Sequence, residues 1–201
     1  MRCGNLRLKQ EFYQKDAVQA ARDLLGKIIV RKYNGKTITV KIVETEAYCG
    51  AEDKASHAHN NKKTKRTAPM FKKGGHAYIY LIYGMYYCLN VVTAAENNPH
   101  AVLIRGVEPL KGLKYIKENR QIKSSRSKDL TNGPGKLSQA LKIDKSFDGC
   151  NLVENNSLYL TDGGTEDFEI ESSPRVNIDY AEEYKDKKWR FFIKNNKYVS
   201  K

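Results

Sequence analysis

Residues 27–48 carry the strongest structural signal in the chain and read KIIVRKYNGKTITVKIVETEAY. Two runs rich in β-branched residues flank Asn34-Gly35, and an Asn-Gly pair in that setting is typical of a two-residue β-hairpin turn. Ile38, Val40 and Ile42 alternate with polar residues, which indicates a strand with one buried face. The segment therefore predicts two antiparallel strands joined at the Asn-Gly turn.

Further elements lie on both sides of this hairpin. Asp16 is a typical N-cap residue, and the apolar spacing after it predicts a short helix that ends at Gly26. The aromatic run 77–92 predicts a second hairpin, with Gly84-Met85 as a two-residue type II′ turn. The stretch 51–75 is polar, basic and aperiodic, which is typical of a functional loop. The two strands of the first hairpin are predicted at 27–33 and 36–48. Further strands are predicted at 101–107, 158–161, 175–178 and 189–199, and helices at 109–119 and 136–141.

This mixture predicts an α+β fold with a mostly antiparallel sheet, and no linker divides residues 1–201, so we expect a single domain. A length of 201 residues, a hydrophobic fraction of 40% and a charged fraction of 29% exclude a mainly disordered chain and a membrane-embedded protein. No apolar run is long enough to span a bilayer. The first residues contain no apolar signal core, so we expect an intracellular protein with reduced cysteines.

Motifs for metals and nucleotide cofactors are absent from the sequence. The four cysteines form no C-x-x-C pair, and no Cys/His cluster has zinc-ligand spacing. The phosphate-binding GxxxxGK[ST] loop, the dinucleotide-binding GxGxxG turn and HExxH are also missing. We therefore expect no metal and no cofactor.

The net charge is the strongest indication of a partner. The chain carries 36 basic and 23 acidic residues, a formal charge of +13. Basic residues dominate 54–76 and 111–145, whereas acidic residues dominate 147–189. Such segregation favours a basic face for a polyanion, with nucleic acid first and an anionic membrane surface second. The alternative is that these runs are only solvated faces.

The first candidate site lies at the end of the first hairpin. On a strand, Glu44, Glu46 and Tyr48 share one face, and two carboxylates beside a basic loop form a plausible acid/base pocket. The pattern alone favours the alternative, because glutamates at strand ends are usually solvated or paired with lysine.

The second candidate group is the tyrosine-rich hairpin, with five tyrosines in residues 78–87. Tyr78 and Tyr80 point to one face, where they could form an aromatic sheet core or stacking platforms for nucleic-acid bases. The tip residues Tyr83 and Met85 are suited to act as a wedge that enters a duplex in place of an extruded base.

Isolated polar residues complete the candidates. Asn90 and Arg105 interrupt apolar strands, and such residues are either satisfied structurally or belong to a site. His57 and His59 lie in the basic loop, where a histidine is more often a solvated side chain. The turn at 132–136, NGPGK, enters a helix and could offer backbone N–H groups to a phosphate.

Five blocks in this order carry a family resemblance: IVETEAY at 42–48, EDKASH at 52–57, YIYLIYGMYYCLN at 78–90, VLIRGVEPL at 102–110 and NGPGKLSQALKI at 132–143. Together they resemble the alkyladenine (3-methyladenine) DNA glycosylase family over most of the chain. The resemblance implies one mixed domain around a curved, mostly antiparallel sheet with flanking helices and a protruding hairpin.

The resemblance also implies an activity and a partner. The partner is double-stranded DNA with a damaged purine, which is flipped out and whose N-glycosidic bond is hydrolysed by an activated water. The product is an abasic site that the enzyme leaves uncut. We expect a monomer without membrane attachment, located in the cytoplasm and nucleoid, or in the nucleus of a eukaryote.

The resemblance assigns roles residue by residue. Glu46 matches the general base that activates the water, and Arg105 matches a residue that helps to hold this water. Tyr83 matches the side chain that fills the vacated place in the DNA stack. The base-binding positions are Tyr48, His57 and Tyr80, which sandwich the base, and Asn90, which obstructs the guanine 2-amino group.

Two departures from the family pattern lie outside the proposed catalytic set. Lys72-Lys73-Gly74 stands where relatives often have Lys-Pro-Gly, which could loosen the basic loop. Gly135 stands where relatives carry serine, which puts the phosphate contact of the NGPGK turn in doubt.

The assigned residues suit the chemistry. The aromatic pocket favours cationic, N-alkylated bases through the ring quadrupoles, whereas neutral bases such as hypoxanthine need protonation. Glu46 must be ionised to act as a base, and we expect Arg105 to help to keep it so. The competing hypotheses are a non-catalytic damaged-DNA or RNA-binding protein and a peripheral membrane protein. A binding protein would not need a buried acid beside its stacking surface.

Overall fold

The computed structural model describes residues 6–122, 126–164 and 167–200. These residues form an α+β fold around an eight-stranded sheet, and every described strand pairing is antiparallel. The predicted fold class is therefore confirmed. The helices are α1 (Ala17–Leu24), α2 (Leu113–Arg120) and α3 (Pro134–Ala140). The strands are β1 (Ile28–Tyr33), β2 (Lys36–Cys49), β3 (Ala77–Ile82), β4 (Tyr86–Thr93), β5 (His100–Lys111), β6 (Leu158–Thr161), β7 (Ile170–Ser173) and β8 (Arg190–Ile193).

The long strand β2 organises the sheet. The main strand order is β3-β4-β5-β2-β1-β6, and β8 pairs with both β2 and β7. The first half of β2 pairs with β1, and residues 44–46 pair with β8, while β5 runs along the other edge. The second half of β2 is buried continuously from Ile42 to Ala47, because both of its faces are covered. On one face the Thr45 hydroxyl donates to the Ala21 carbonyl of α1, and on the other the Val176 N–H, from the segment after β7, donates to Glu46. This places the middle of β2 deep in the protein.

The first hairpin and the first helix form as predicted. Tyr33 pairs with Lys36 across Asn34-Gly35, and the φ angles of 47° and 69° at the turn are those of a type I′ turn. The Asp16 carboxylate accepts hydrogen bonds from the backbone N–H groups of Val18 and Gln19 at 2.9 and 3.0 Å, so it caps α1. The buried face of α1 consists of Ala17, Ala20, Ala21 and Leu24.

The turn of the aromatic hairpin differs from the prediction. Its central residues are Tyr83 and Gly84, with φ angles of 52° and 67°, and Met85 N–H donates to the Ile82 carbonyl at 3.2 Å. The turn centred on Tyr83-Gly84 is therefore of type I′ and begins one residue earlier than the predicted type II′ turn, and three residues rather than two separate the paired Ile82 and Tyr86. A type I′ turn matches the right-handed twist of the two strands, which explains why a tyrosine adopts a positive φ there.

Three other predicted elements have different bounds. The helix predicted at 109–119 begins only at Leu113, because β5 continues through Pro109 to Lys111 beside β2. Residues 175–178 are not a strand, since Arg175 and the Val176 N–H bind side chains of other segments, and β7 precedes them. The strand predicted at 189–199 is confined to β8, after which the chain turns at Asn195 with a φ angle of 58°.

Within the described part of the chain, the helices are too short or too polar to cross a bilayer.

Candidate active site

A cavity of about 510 Å³ lies between β2, the β3–β4 hairpin, the basic loop (residues 51–75) and the segment that follows β7 (residues 174–189). Its volume is in the range of pockets that enclose small ligands. Seven of the eight predicted site residues line it. They are Glu46, Tyr48, His57, Tyr80, Tyr83, Asn90 and Arg105. The eighth, Met85, lies at the hairpin tip with 63% of its surface exposed and is not among the lining residues.

Glu46 is fully buried in the continuously buried half of β2. One carboxylate oxygen, Oε1, accepts a hydrogen bond from the Val176 N–H at 2.8 Å and lies 3.4 Å from Nη1 of Arg105. The other, Oε2, accepts from the Tyr48 hydroxyl at 2.9 Å. Burial raises the pKa of Glu46, and Arg105 opposes this effect. The predicted Arg105 contact is present, yet burial outweighs it in setting the direction of the pKa shift.

Glu44 forms a second buried carboxylate on the same side of β2. Its Oε1 accepts from Nε of Arg105 at 3.1 Å, from Nε of Arg190 at 2.7 Å and from the Ser200 hydroxyl at 2.8 Å. The Ser200 N–H donates to Oε2 at 2.7 Å. Glu44 and Glu46 are therefore paired with arginines rather than solvated. Glu44 fixes Arg105 from the side away from the cavity.

A buried ion pair joins the basic loop to the segment after β7. Both side chains of Asp53 and Arg175 are inaccessible to solvent, and their two contacts measure 2.5 and 2.8 Å. Arg175 also donates to the carbonyl oxygen of Ala47 at 2.8 Å. Because Val176 follows Arg175, this pair holds the N–H group that binds Glu46. No local sequence pattern links Asp53 with Arg175, and neither is a predicted site residue.

An aromatic wall forms one side of the cavity. The His57 and Tyr80 rings meet edge to face with centroids 4.7 Å apart. Nδ1 of His57 lies 2.8 Å from the Tyr78 hydroxyl, and Nη2 of Arg66 lies 3.2 Å from Nε2 of His57. A guanidinium only donates, so Nε2 is the acceptor and the imidazole proton is on Nδ1. Tyr78 and Arg66 were missed as site residues, although Tyr78 was placed on this face of the strand.

The remaining predicted residues have simple environments. Asn90 is buried, and its Nδ2 donates to the Tyr78 carbonyl at 3.0 Å and to the Cys88 carbonyl at 3.4 Å. Tyr83 is 71% exposed at the rim. His59 binds the Ala51 carbonyl at 2.9 Å and lies outside the cavity lining. Gly135 lies against Tyr86, and a Cβ there would be 2.8 Å from the Cβ of Tyr86.

Comparison with known proteins identifies the family. The sequence profile of the family described as Methylpurine-DNA glycosylase (MPG) matches residues 11–197. The chain belongs to this family. Membership in the methylpurine-DNA glycosylase family confirms the predicted enzyme class, a DNA glycosylase and hence a hydrolase in the repair of alkylated purines.

Curated relatives of this methylpurine-DNA glycosylase family member match along nearly their whole length. A protein of Natranaerobius thermophilus is 53% identical over 196 residues, which cover 97% of this chain and 99% of the relative. Proteins of Clostridium tetani and Clostridium perfringens (strain SM101) are 49% and 47% identical, and each comparison covers 98% of this chain and 100% of the relative. All three bear the name "Putative 3-methyladenine DNA glycosylase".

The partly buried His57 in the cavity predicts a pH dependence of stability. Burial, and secondarily the Arg66 charge, lowers the pKa of His57 from 6.5 to about 4. The unfolded chain therefore binds a proton between these pH values that the folded protein does not. The contribution to stability is fully present above pH 6.5 and is lost as the pH falls towards 4.

We expect His57→Gln to flatten this dependence. Urea unfolding at several pH values between 4.5 and 6.5 should show a smaller slope of unfolding free energy against pH, by up to about 1.4 kcal/mol per pH unit. His76→Gln is the matched control, since it removes a histidine outside the cavity lining. An unchanged slope in the His57 variant would contradict the neutral state of this imidazole in the folded protein.

Proposed function

We propose that this enzyme flips an alkylated or deaminated purine out of duplex DNA and hydrolyses its N-glycosidic bond with a water activated by Glu46. The product is an abasic site. The observation that carries the proposal is a fully buried carboxylate, Glu46, on the wall of an aromatic-lined cavity of about 510 Å³. A surface that only bound nucleic acid would have no use for a carboxylate desolvated in this way.

The proposed reaction needs one base and no covalent intermediate. Glu46 takes a proton from the water while the water oxygen bonds to C1′ of the deoxyribose. The bond from C1′ to the purine nitrogen breaks, and its electron pair leaves with the base. Because the pKa of Glu46 is raised by burial, its carboxylate is a stronger base than an exposed one. The Tyr48 hydroxyl and the Val176 N–H fix its two oxygens.

Arg105 suits a supporting role in this reaction. Its Nη1 lies 3.4 Å from Oε1 of Glu46, while its Nε donates to Oε1 of Glu44 at 3.1 Å. This arrangement leaves the guanidinium in a single orientation beside the proposed water position. The positive charge favours the ionised form of Glu46, which the reaction requires.

The base would stack within the cavity. Tyr48, His57 and Tyr80 present aromatic surfaces, and aromatic stacking contributes roughly 1–3 kcal/mol per base. Asn90 is held by two backbone carbonyls, so its side chain cannot yield easily to an additional exocyclic amino group. This rigidity supports its role in excluding unmodified guanine.

The hairpin tip supports the proposed wedge. Tyr83 and Met85 are exposed by 71% and 63% on a tight turn between two paired strands. Tyr83 also lines the cavity rim, so a side chain inserted at this point would adjoin the vacated position in the stack. Extrusion costs a few kcal/mol, which an inserted aromatic ring partly offsets.

Replacing Tyr83 with serine is expected to weaken binding to hypoxanthine-containing duplexes about tenfold, because one stacking contact is lost. Fluorescence anisotropy with catalytically inactive Glu46→Gln as the background measures the affinity. Leu110→Ser is the control, since Leu110 is also apolar and exposed, by 47%, but lies outside the cavity lining. Equal affinities for the serine variant and its parent would exclude the wedge.

A glycosylase assay tests the proposed function as a whole. End-labelled duplexes with a single hypoxanthine, ethenoadenine or 7-methylguanine are incubated with the enzyme in EDTA, and the products are separated with and without hot alkali. Strand cleavage at the lesion only after alkali is the expected result. Tight lesion binding without any cleavage would favour the damage-recognition protein instead, and cleavage without alkali would show an additional lyase step.

A further inference from the structure

Arg66 places a positive charge on the aromatic wall of the cavity. It lies in the basic loop, lines the cavity and is solvent-exposed. Its guanidinium donates to Nε2 of His57 at 3.2 Å, and its central carbon lies 5.3 Å from the centroid of the Tyr80 ring. Among the described residues, no carboxylate lies within ion-pair distance of Arg66. Its charge is therefore not neutralised locally by the protein.

We propose that Arg66 is a specificity-determining residue that gives neutral damaged purines an advantage over positively charged ones. The proposal rests on the proposed function, because it concerns which bases enter and react in that cavity.

The charges around the cavity support this role. Among the residues that the structure describes, its lining contains one carboxylate, Glu46, and four basic groups, Arg66, Arg105, Arg120 and Lys136. The Glu46 charge is already paired with Arg105. A base alkylated at N7 carries a positive charge and meets an excess of like charge, whereas hypoxanthine and ethenoadenine are neutral. Of these basic groups, Arg66 is the one on the aromatic wall itself.

The aromatic wall would otherwise favour cations. A cationic base gains from the quadrupole of a tyrosine face, but the Arg66 guanidinium already occupies this interaction at Tyr80. Both nitrogens of His57 are also engaged, by Tyr78 and Arg66, so the imidazole offers no free acceptor to a protonated base. Stacking of a neutral base is not penalised by the same charge.

The size of the effect follows from Coulomb's law. Two positive charges about 6 Å apart in a water-rich environment, with an effective dielectric constant of about 40–80, repel each other enough to lower the occupancy of the cavity by a cationic base about three- to tenfold. Removal of the Arg66 charge should recover this factor for cationic bases only.

The test compares single-turnover excision rates at saturating enzyme for 7-methylguanine, hypoxanthine and ethenoadenine in one duplex sequence. Arg66→Gln is expected to raise the rate of 7-methylguanine excision relative to both neutral bases about three- to tenfold. Arg66→Met should act in the same direction, and Arg66→Lys, which retains the charge, should stay close to the wild-type ratio. Lys65→Gln is the matched control, because it removes an adjacent, exposed positive charge outside the cavity lining.

Several outcomes would overturn the inference. Equal slowing of all three bases would show that Arg66 serves DNA binding, and a change for hypoxanthine alone would show a hydrogen bond to its carbonyl. The same shift of the ratio in Lys65→Gln would assign the effect to the general charge of the loop. Failure of the wild-type enzyme to excise any of the three bases would instead refute the proposed function.

Discussion

Replacement of Glu46 with glutamine is expected to lower the single-turnover excision rate of hypoxanthine by about 10²–10⁴-fold, the usual contribution of a general base. Glutamine has the same shape and can still accept from the Val176 N–H and contact the Tyr48 hydroxyl. It cannot take the proton of the attacking water. Lesion-DNA affinity should therefore change by no more than about threefold, since each of the stacking residues is retained.

The matched variant is Glu44→Gln. It also removes a carboxylate of β2, and this carboxylate is likewise paired with Arg105. Glu44 does not line the cavity, so it cannot contact the water directly. We expect a smaller loss of rate, about tenfold, because Arg105 loses one of its anchors. If Glu44→Gln were as inactive as Glu46→Gln at equal thermal stability, or if Glu46→Gln retained the wild-type rate, the assignment of the base would be wrong.

The second large effect concerns stability. Asp53→Asn is expected to lower the free energy of unfolding by about 3–5 kcal/mol, because it leaves the Arg175 charge buried without its partner. Both side chains are inaccessible to solvent, and the bidentate contact is their main compensation for desolvation. For a protein of this size, the melting temperature should fall by about 6–20 °C.

A double-mutant cycle isolates this ion pair. Arg175→Gln combined with Asp53→Asn should be less destabilising than the sum of the single variants, since no buried charge remains unpaired. Lys54→Gln is the control, because it removes the neighbouring lysine, whose ion pairs with Glu182 and Glu183 lie at the surface, and its melting temperature should stay at the wild-type value. Additive single-variant effects would show that Asp53 and Arg175 stabilise the protein independently.

The two stability variants also bear on catalysis. Val176 follows Arg175, and its N–H donates to Glu46 at 2.8 Å. A loosened ion pair would release this donor, so the Asp53→Asn variant should lose excision activity even at temperatures at which it is folded. The buried pair thus connects the stability of the basic loop with the orientation of the proposed base.

Much of the site could be predicted because its residues belong to local patterns. Glu46 and Tyr48 share a strand face, and their side chains indeed form a hydrogen bond. Tyr80 and Asn90 lie on the aromatic hairpin, whose strands were located correctly. The hairpin turn was misplaced by one residue, because Gly84 suits more than one turn type and the strand register decides between them.

The residues that were missed make contacts across the sequence. Arg175 lies 122 positions from Asp53, and Ser200 lies 156 positions from Glu44. No periodicity or turn signal links such residues, since only the packing of β8 and the segment after β7 against β2 brings them together. Arg66 belongs to a loop without periodicity, so its direction towards His57 was not predictable.

The first hairpin, the capped helix, the basic character of the loop and the family itself could be read from neighbouring residues, because turn, cap and strand propensities act over a few positions. The burial of Glu46, the neutral state of His57 and the net positive lining of the cavity depend on how distant segments enclose one another. Desolvation and Coulomb interactions depend on distances in space, and these distances arise only when β2 is covered by β5, β8 and the basic loop.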